Sequence, residues 1–183
     1  MTTTTVRIHG RGGQGVVTAA ELLAMAAFYD GSYAQAFPSF GVERSGAPIQ
    51  SFARLSDQPI ITREQIYEPD ILVIQDSTLI DADGADVFRG TSKRTKIIIN
   101  AAASRWPELS RQYKDLYLSP ATEIALAVLG RNIVNTVILG ALVKYTGLIS
   151  LASLQQAIKE KFAAKGQDII NKNIAAIERS KAA

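Results

Sequence analysis

Six residues near the amino terminus, Gly10-Arg11-Gly12-Gly13-Gln14-Gly15, follow the pattern G-x-G-x-x-G. Glycines at this spacing let the backbone turn sharply and approach a ligand. A helix starting after them offers free N–H groups and the positive end of its dipole to a phosphate. Arg11 adds a charge to such a seat. The same glycines also suit the close packing of a helix on a sheet, and the motif alone leaves both readings open. Its neighbours narrow the ligand. A nucleoside triphosphate loop requires lysine and serine or threonine after its last glycine, where this chain has Val16-Val17. A dinucleotide site wants an acidic residue about 20 positions on. Gln35 and Ala36 fill that window, with Asp30 too early and Glu43 too late.

Other groups have chemistry to offer. Glu43-Arg44 lies between Gly41 and Gly46, where a guanidinium fork can clamp a phosphate or carboxylate or simply form a weak surface pair. Asp76 and Asn100 each follow an apolar run, at the strand ends where open α/β sheets bind ligands and where helix caps also stand. Asn132 and Asn135 flank an apolar helical stretch; one can cap it, and a buried Asn135 needs partners. His9, the single histidine, reads as a satisfied strand residue. Lys159, Lys161 and Lys165 read as a solvated helix face, Trp106 as a packing residue, and Phe37 and Phe40 as core anchors or a partner contact. With no cysteine, the chain has no thiolate nucleophile, disulfide or ordinary iron–sulfur site of its own. No nucleophile–base pair, metal-ligand cluster or close carboxylate pair emerges. The residues point to a binding module or subunit rather than a complete enzyme.

The elements that position these groups follow from periodicity. Val6-Arg7-Ile8 forms a strand into the glycine cluster, and Val16 to Tyr29 a helix stopped by Asp30-Gly31. Tyr33–Ala36 and Ile49–Leu55 are further strands, with 37–48 a loop. Ile71–Ile74 and Ile97–Ile99 are short continuous apolar runs, the mark of strands buried on both faces of a parallel sheet. Leu116–Leu118 adds another. Helices are expected over Ala121–Leu129, Ile133–Tyr145, Leu151 to about Ala164 with Ser150 as cap, and Asp168–Arg179. The 183 residues, 47% hydrophobic and 20% charged, suffice for a core. They read as one α/β domain over residues 1–183, an open, mostly parallel sheet flanked by helices with a helical carboxyl-terminal part. A net charge of 20 − 17 = +3 is far from a nucleic-acid arm. The Met1-Thr-Thr-Thr-Thr5 start lacks the basic and apolar blocks expected of a signal peptide, and the apolar stretch from Ile133 to Val143, interrupted by Asn135 and Thr136, is too short to span a bilayer. A cytoplasmic location, without membrane or nucleic-acid partners, is the expectation.

Three ordered blocks carry a family resemblance. Gly10-Arg-Gly-Gly-Gln-Gly-Val-Val-Thr18, Phe37-Pro-Ser-Phe-Gly-Val-Glu-Arg-Ser-Gly-Ala-Pro48 and Leu129-Gly-Arg-Asn-Ile-Val-Asn-Thr-Val-Ile-Leu-Gly140 resemble the gamma subunit of 2-oxoacid:ferredoxin (acceptor) oxidoreductases, nearest the pyruvate-type branch. The likeness implies a Rossmann-like gamma-type domain. It also implies a complex that oxidatively decarboxylates a 2-oxoacid with coenzyme A, giving acyl-CoA, carbon dioxide and two electrons. Thiamine diphosphate, Mg2+ and 4Fe-4S clusters would sit on alpha-, beta- and delta-type partner subunits, with ferredoxin or another acceptor taking the electrons. This chain would help bind coenzyme A and assemble the complex, and would be inactive alone. The cofactor-binding candidates on that basis are Gly10, Arg11, Gly12, Gly13, Gln14, Gly15, Glu43, Arg44 and Asn135, with no catalytic or metal-binding residue. Ser45 stands where pyruvate-type chains often carry a second basic residue, and Asn132 where they carry proline. The substrate therefore stays open between pyruvate and an aromatic or branched 2-oxoacid. The alternatives are a stand-alone nucleotide-binding oxidoreductase and a scaffold without ligand.

Overall fold

The computed structural model describes residues 2–39, 45–103 and 105–183. The chain runs β1 (Thr3–Arg11), α1 (Val16–Tyr29), β2 (Tyr33–Pro38), β3 (Pro48–Ser56), β4 (Ile71–Ile74), α2 (Thr78–Val87), β5 (Lys96–Asn100), α3 (Pro107–Gln112), β6 (Leu116–Ser119), α4 (Ala121–Leu129), α5 (Val137–Thr146), α6 (Leu151–Lys161) and α7 (Gln167–Ala182), with a 3-10 turn at Ala163–Lys165. The strands form one sheet in the order β2-β3-β1-β4-β5-β6. β1, β4, β5 and β6 pair in parallel, while β3 runs antiparallel to both β1 and β2. β3 alone opposes the common direction, so the sheet is open and mostly parallel, as the buried apolar runs require.

Alternation along those runs divides the core. Leu72 and Ile74 of β4 and Ile97 and Ile99 of β5 pack with Leu79, Val87, Trp106 and Leu109 on the α2–α3 side. Val73, Ile98, Val6 and Ile8 face the other way, against α1 and the carboxyl-terminal helices. Fully burying each such side chain stabilises by about 1.5–3 kcal/mol. α5 and α7 touch closely enough that a side chain on Gly140 would stand on the Ile177 carbonyl. Ser150 caps α6 as expected, accepting from the Ser153 N–H at 3.0 Å. No helix among the described residues is long and apolar enough to cross a membrane.

Two helices escape the periodicity. α2 carries three aspartates and Gly84, weak helix formers, and its backbone leaves helical geometry at Asp83. Burial of Leu79, Ile80 and Val87 holds it in place despite that composition. α3 starts at Pro107, where the missing N–H costs nothing. Arg7, buried on β1, secures this side of the sheet. Its guanidinium donates to the carbonyls of Tyr67 (3.2 Å), Val87 (3.1 Å) and Arg89 (2.6 Å), placing a cation at the carboxyl end of α2.

Candidate functional site

β1 delivers the chain to the glycine loop at its carboxyl end, beside the end of its parallel neighbour β4. From here α1 leads towards β2 on one side and α2 towards β5 on the other, which makes this the switch point of the sheet. The loop is tightly bonded. Gln14 N–H donates to the Arg11 carbonyl at 3.0 Å, and Gln14 Oε1 accepts from the Arg11 N–H at 2.8 Å. Gly12 exchanges two hydrogen bonds with the residues just before β3, donating to Ala47 O (2.9 Å) and accepting from Gly46 N–H (3.0 Å). Gly13 and Gly15 both have positive φ, 91° and 70°, and Gly15 stands at the amino-terminal cap of α1.

The side chains of the loop turn towards Asp76. Its Oδ2 accepts from Arg11 Nε at 3.2 Å and Gln14 Nε2 at 2.8 Å. Its Oδ1 accepts from the Thr78 N–H at 3.0 Å and hydroxyl at 2.6 Å. Burial pushes this carboxyl up, but the hydrogen bonds from Thr78 and Gln14, with the Arg11 charge, outweigh it and hold it below the ordinary carboxylate range. Asp76 thus organises both the start of α2 and the glycine loop. Arg11, expected to add free charge to the seat, has its charge neutralised here.

The wall for a ligand lies on the α1 side. A cavity of about 520 Å³ opens between Gly13, Gln14 and Gly15, the bend from Arg131 to Asn135, and the stretch from Lys161 to Asn173. The first turns of α1 and α7 reach it with their positive dipole ends, while the carboxyl ends of α4 (Leu129) and α6 (Lys161) also border it. Arg131, Lys161, Lys165 and Lys172 line it against one carboxylate, Asp168. Lys172 pairs with Asp168 at 2.7 Å and Lys161 with Glu21 at 2.7 Å, so part of that charge is balanced within the wall. Behind the rim the polar groups are satisfied: Thr136 Oγ1 donates to Asn173 Oδ1 at 2.7 Å, and Asn135 Oδ1 accepts from the Thr136 N–H at 2.9 Å.

Of the sequence candidates, Gly13, Gln14, Gly15 and Asn135 come together on this cavity. Gly10 does not line it; the space its side chain would need is filled by Val16, Gln14 and Gln75. Gly12 and Arg11 bind neighbouring loops. Glu43 and Arg44, with Phe40, lie outside the described residues. Asn100 is structural, donating to the Gln75 carbonyl (2.8 Å) and the Thr122 hydroxyl (2.9 Å). α5 begins at Val137, later than the expected Ile133, which frees the 131–136 bend to face the glycine loop. The lysine stretch is no uniform solvated face, since Lys161 and Lys165 belong to the cavity. His9 also differs from expectation: it is 3% exposed and its Nε2 has no hydrogen-bond partner. Burial, then the Arg7 charge, lowers its pKa to about 3. Arg131 and Lys172 were missed because they come from sequence-distant segments. The one signal available was the spacing of Asp168 and Lys172 on a single helical turn.

The chain is similar to several known proteins. A family profile described as pyruvate ferredoxin/flavodoxin oxidoreductase matches residues 5–183. The common gamma subunit of the pyruvate/ketoisovalerate oxidoreductases of Pyrococcus furiosus is 49% identical over 160 residues, covering 86% of this chain and 85% of that one. The pyruvate synthase subunit PorC of Methanothermobacter marburgensis is 51% identical over 160 residues, covering 87% of each. The crystal structure of pyruvate oxidoreductase subunit PORC from Thermotoga maritima superposes with a TM-score of 0.84 at 32% identity, covering 100% of this chain and 97% of that one. The 2-oxoglutarate:ferredoxin oxidoreductase of Magnetococcus marinus, solved with 2-oxoglutarate, coenzyme A and succinyl-CoA, shares the fold at a TM-score of 0.79 and 20% identity. That match covers 100% of this chain and 31% of the larger one.

Proposed function

The chain belongs to the pyruvate ferredoxin/flavodoxin oxidoreductase family, and from that premise we propose that it is the gamma subunit of a multisubunit 2-oxoacid:acceptor oxidoreductase in which it binds coenzyme A. The complex converts a 2-oxoacid and coenzyme A to acyl-CoA and carbon dioxide, passing two electrons to ferredoxin or a similar acceptor. Thiamine diphosphate with Mg2+ supplies the carbanion chemistry, and iron–sulfur clusters the electron path, on alpha-, beta- and delta-type partners. Residues 1–183 act as one gamma-type unit, in the cytoplasm.

The observation that carries the coenzyme A reading is the cavity where the amino-termini of α1 and α7 meet Arg131 and Lys165, beside the ion-paired Lys161 and Lys172. Coenzyme A presents a diphosphate and a further phosphate, and fixed N–H groups with surrounding cations recognise such a group without needing a catalytic side chain. Gly13 and Gly15 bring backbone close to the phosphates, Gln14 and Asn135 line the wall, and Arg131 and Lys165 supply charge. Gly10, Arg11 and Gly12 hold the loop in shape. Glu43 and Arg44 are assigned to the site on the family resemblance alone. The substrate is pyruvate or a branched 2-oxoacid, in keeping with the relatives' names.

The test is steady-state kinetics of the intact complex carrying Arg131→Glu or Lys165→Glu. The apparent KM for coenzyme A should rise about tenfold or more, and more steeply at low salt, while the KM for the 2-oxoacid stays put. Unchanged coenzyme A dependence in both variants would remove the cavity from the site and leave the chain a scaffold.

A further inference from the structure

Asp76 lies at the switch point and is 16% exposed at its side chain, yet it does not line the basic cavity. Its carboxylate collects both polar side chains of the glycine loop, Arg11 and Gln14, and anchors them to Thr78 at the start of α2. Arg11 extends the lattice, donating through Nη1 to the Gly46 carbonyl at 3.1 Å and through Nη2 to the Thr78 hydroxyl at 2.9 Å. Between Arg11 and Gln14 stand only Gly12 and Gly13, which have no side chains to fix the turn. Backbone hydrogen bonds close the turn, and one carboxylate holds the two side chains at its ends.

We propose that Asp76 is a positioning residue for coenzyme A: without touching the ligand, it fixes the Arg11–Gln14 turn in the shape that presents the Gly13–Gly15 backbone to a phosphate. This rests on the coenzyme A reading above. Two consequences separate it from a purely structural role. The loss appears in coenzyme A affinity rather than in turnover. It also follows the hydrogen-bonding capacity of residue 76, because an amide in that place accepts on one oxygen and brings its own donors up against Arg11 and Gln14. Removing the charge also frees Arg11 from its ion pair.

The experiment compares Asp76→Asn, Asp76→Glu and Thr78→Val in the assembled complex, with Arg131→Glu as reference, reading kcat and both KM values. Asp76→Asn should raise the coenzyme A KM about tenfold, the scale of one charge-assisted hydrogen bond, with kcat and the 2-oxoacid KM little changed. Asp76→Glu should recover part of it. Thr78→Val, at an exposed position, loosens the carboxylate and should give about a threefold rise. If Arg131→Glu raises the coenzyme A KM and Asp76→Asn does not, the positioning role is overturned and the coenzyme A reading stands. If neither Arg131→Glu nor Lys165→Glu has an effect, the reading itself fails. Should Asp76→Asn fail to assemble, Thr78→Val decides, and an unchanged KM there overturns the proposal.

Discussion

Asn135 stands so close to Gly15 that its amide nitrogen occupies the space a side chain on Gly15 would need. The two residues are 120 positions apart, and their contact joins the cap of α1 to the bend before α5. It fixes one wall of the cavity against the other.

That contact separates two glycines with similar backbones. Gly13 and Gly15 both lie in the left-handed region, but only open space surrounds the missing side chain of Gly13. Gly13→Ala should cost about 1–2 kcal/mol for the backbone alone. Gly15→Ala adds the displacement of Asn135, about 1–3 kcal/mol more. Urea unfolding of the isolated chain measures both, and equal losses would show that Asn135 yields freely.

His9 makes stability depend on pH. Unfolded, its imidazole takes up a proton near pH 6.5; folded, it stays neutral down to about pH 3. Its contribution is complete above pH 6.5 and declines as pH falls through that window, by about 1.4 kcal/mol per pH unit. His9→Gln should flatten the unfolding free energy between about pH 6.5 and 5, above the carboxylate range. A variant with the wild-type slope there would assign the acid sensitivity to other groups.

Asp30 ends α1 and binds the start of α6. Its carboxylate accepts from the Ser150 N–H (2.6 Å), the Ser150 hydroxyl (2.7 Å) and the Ser153 hydroxyl (2.6 Å). Burial pushes its pKa up, but the hydrogen bonds from Ser153 and Ser150 outweigh this and lower it. Asp30→Ala should lower stability by about 1–2 kcal/mol and speed amide exchange in the first turn of α6. Exchange confined to its wild-type rate would mean that the Ser150 cap suffices alone.

Much of this was legible in the residues themselves. Continuous apolar runs at Ile71–Ile74 and Ile97–Ile99 specify buried parallel strands, because only a strand covered on both faces tolerates them. The glycine pattern between a strand and an alanine-rich helix specifies a turn and a helix start, and Ser150 specifies a cap. These are local rules, acting over one turn or one strand. α2 was hidden because burial of Leu79, Ile80 and Val87, rather than propensity, keeps it helical. The unpartnered Nε2 of His9 was hidden because satisfaction depends on what the fold places opposite a group.

The strand, glycine turn and helix of residues 3–29, the lack of cysteine and the family blocks can all be read along the chain. Which groups surround the glycine turn is a matter of the folded arrangement. It turned Arg11 towards Asp76 and brought Arg131, Lys165 and Lys172 from distant segments to face Gly13 and Gly15. Coulomb and hydrogen-bond forces act over a few ångströms of space, and distance along the chain does not measure them.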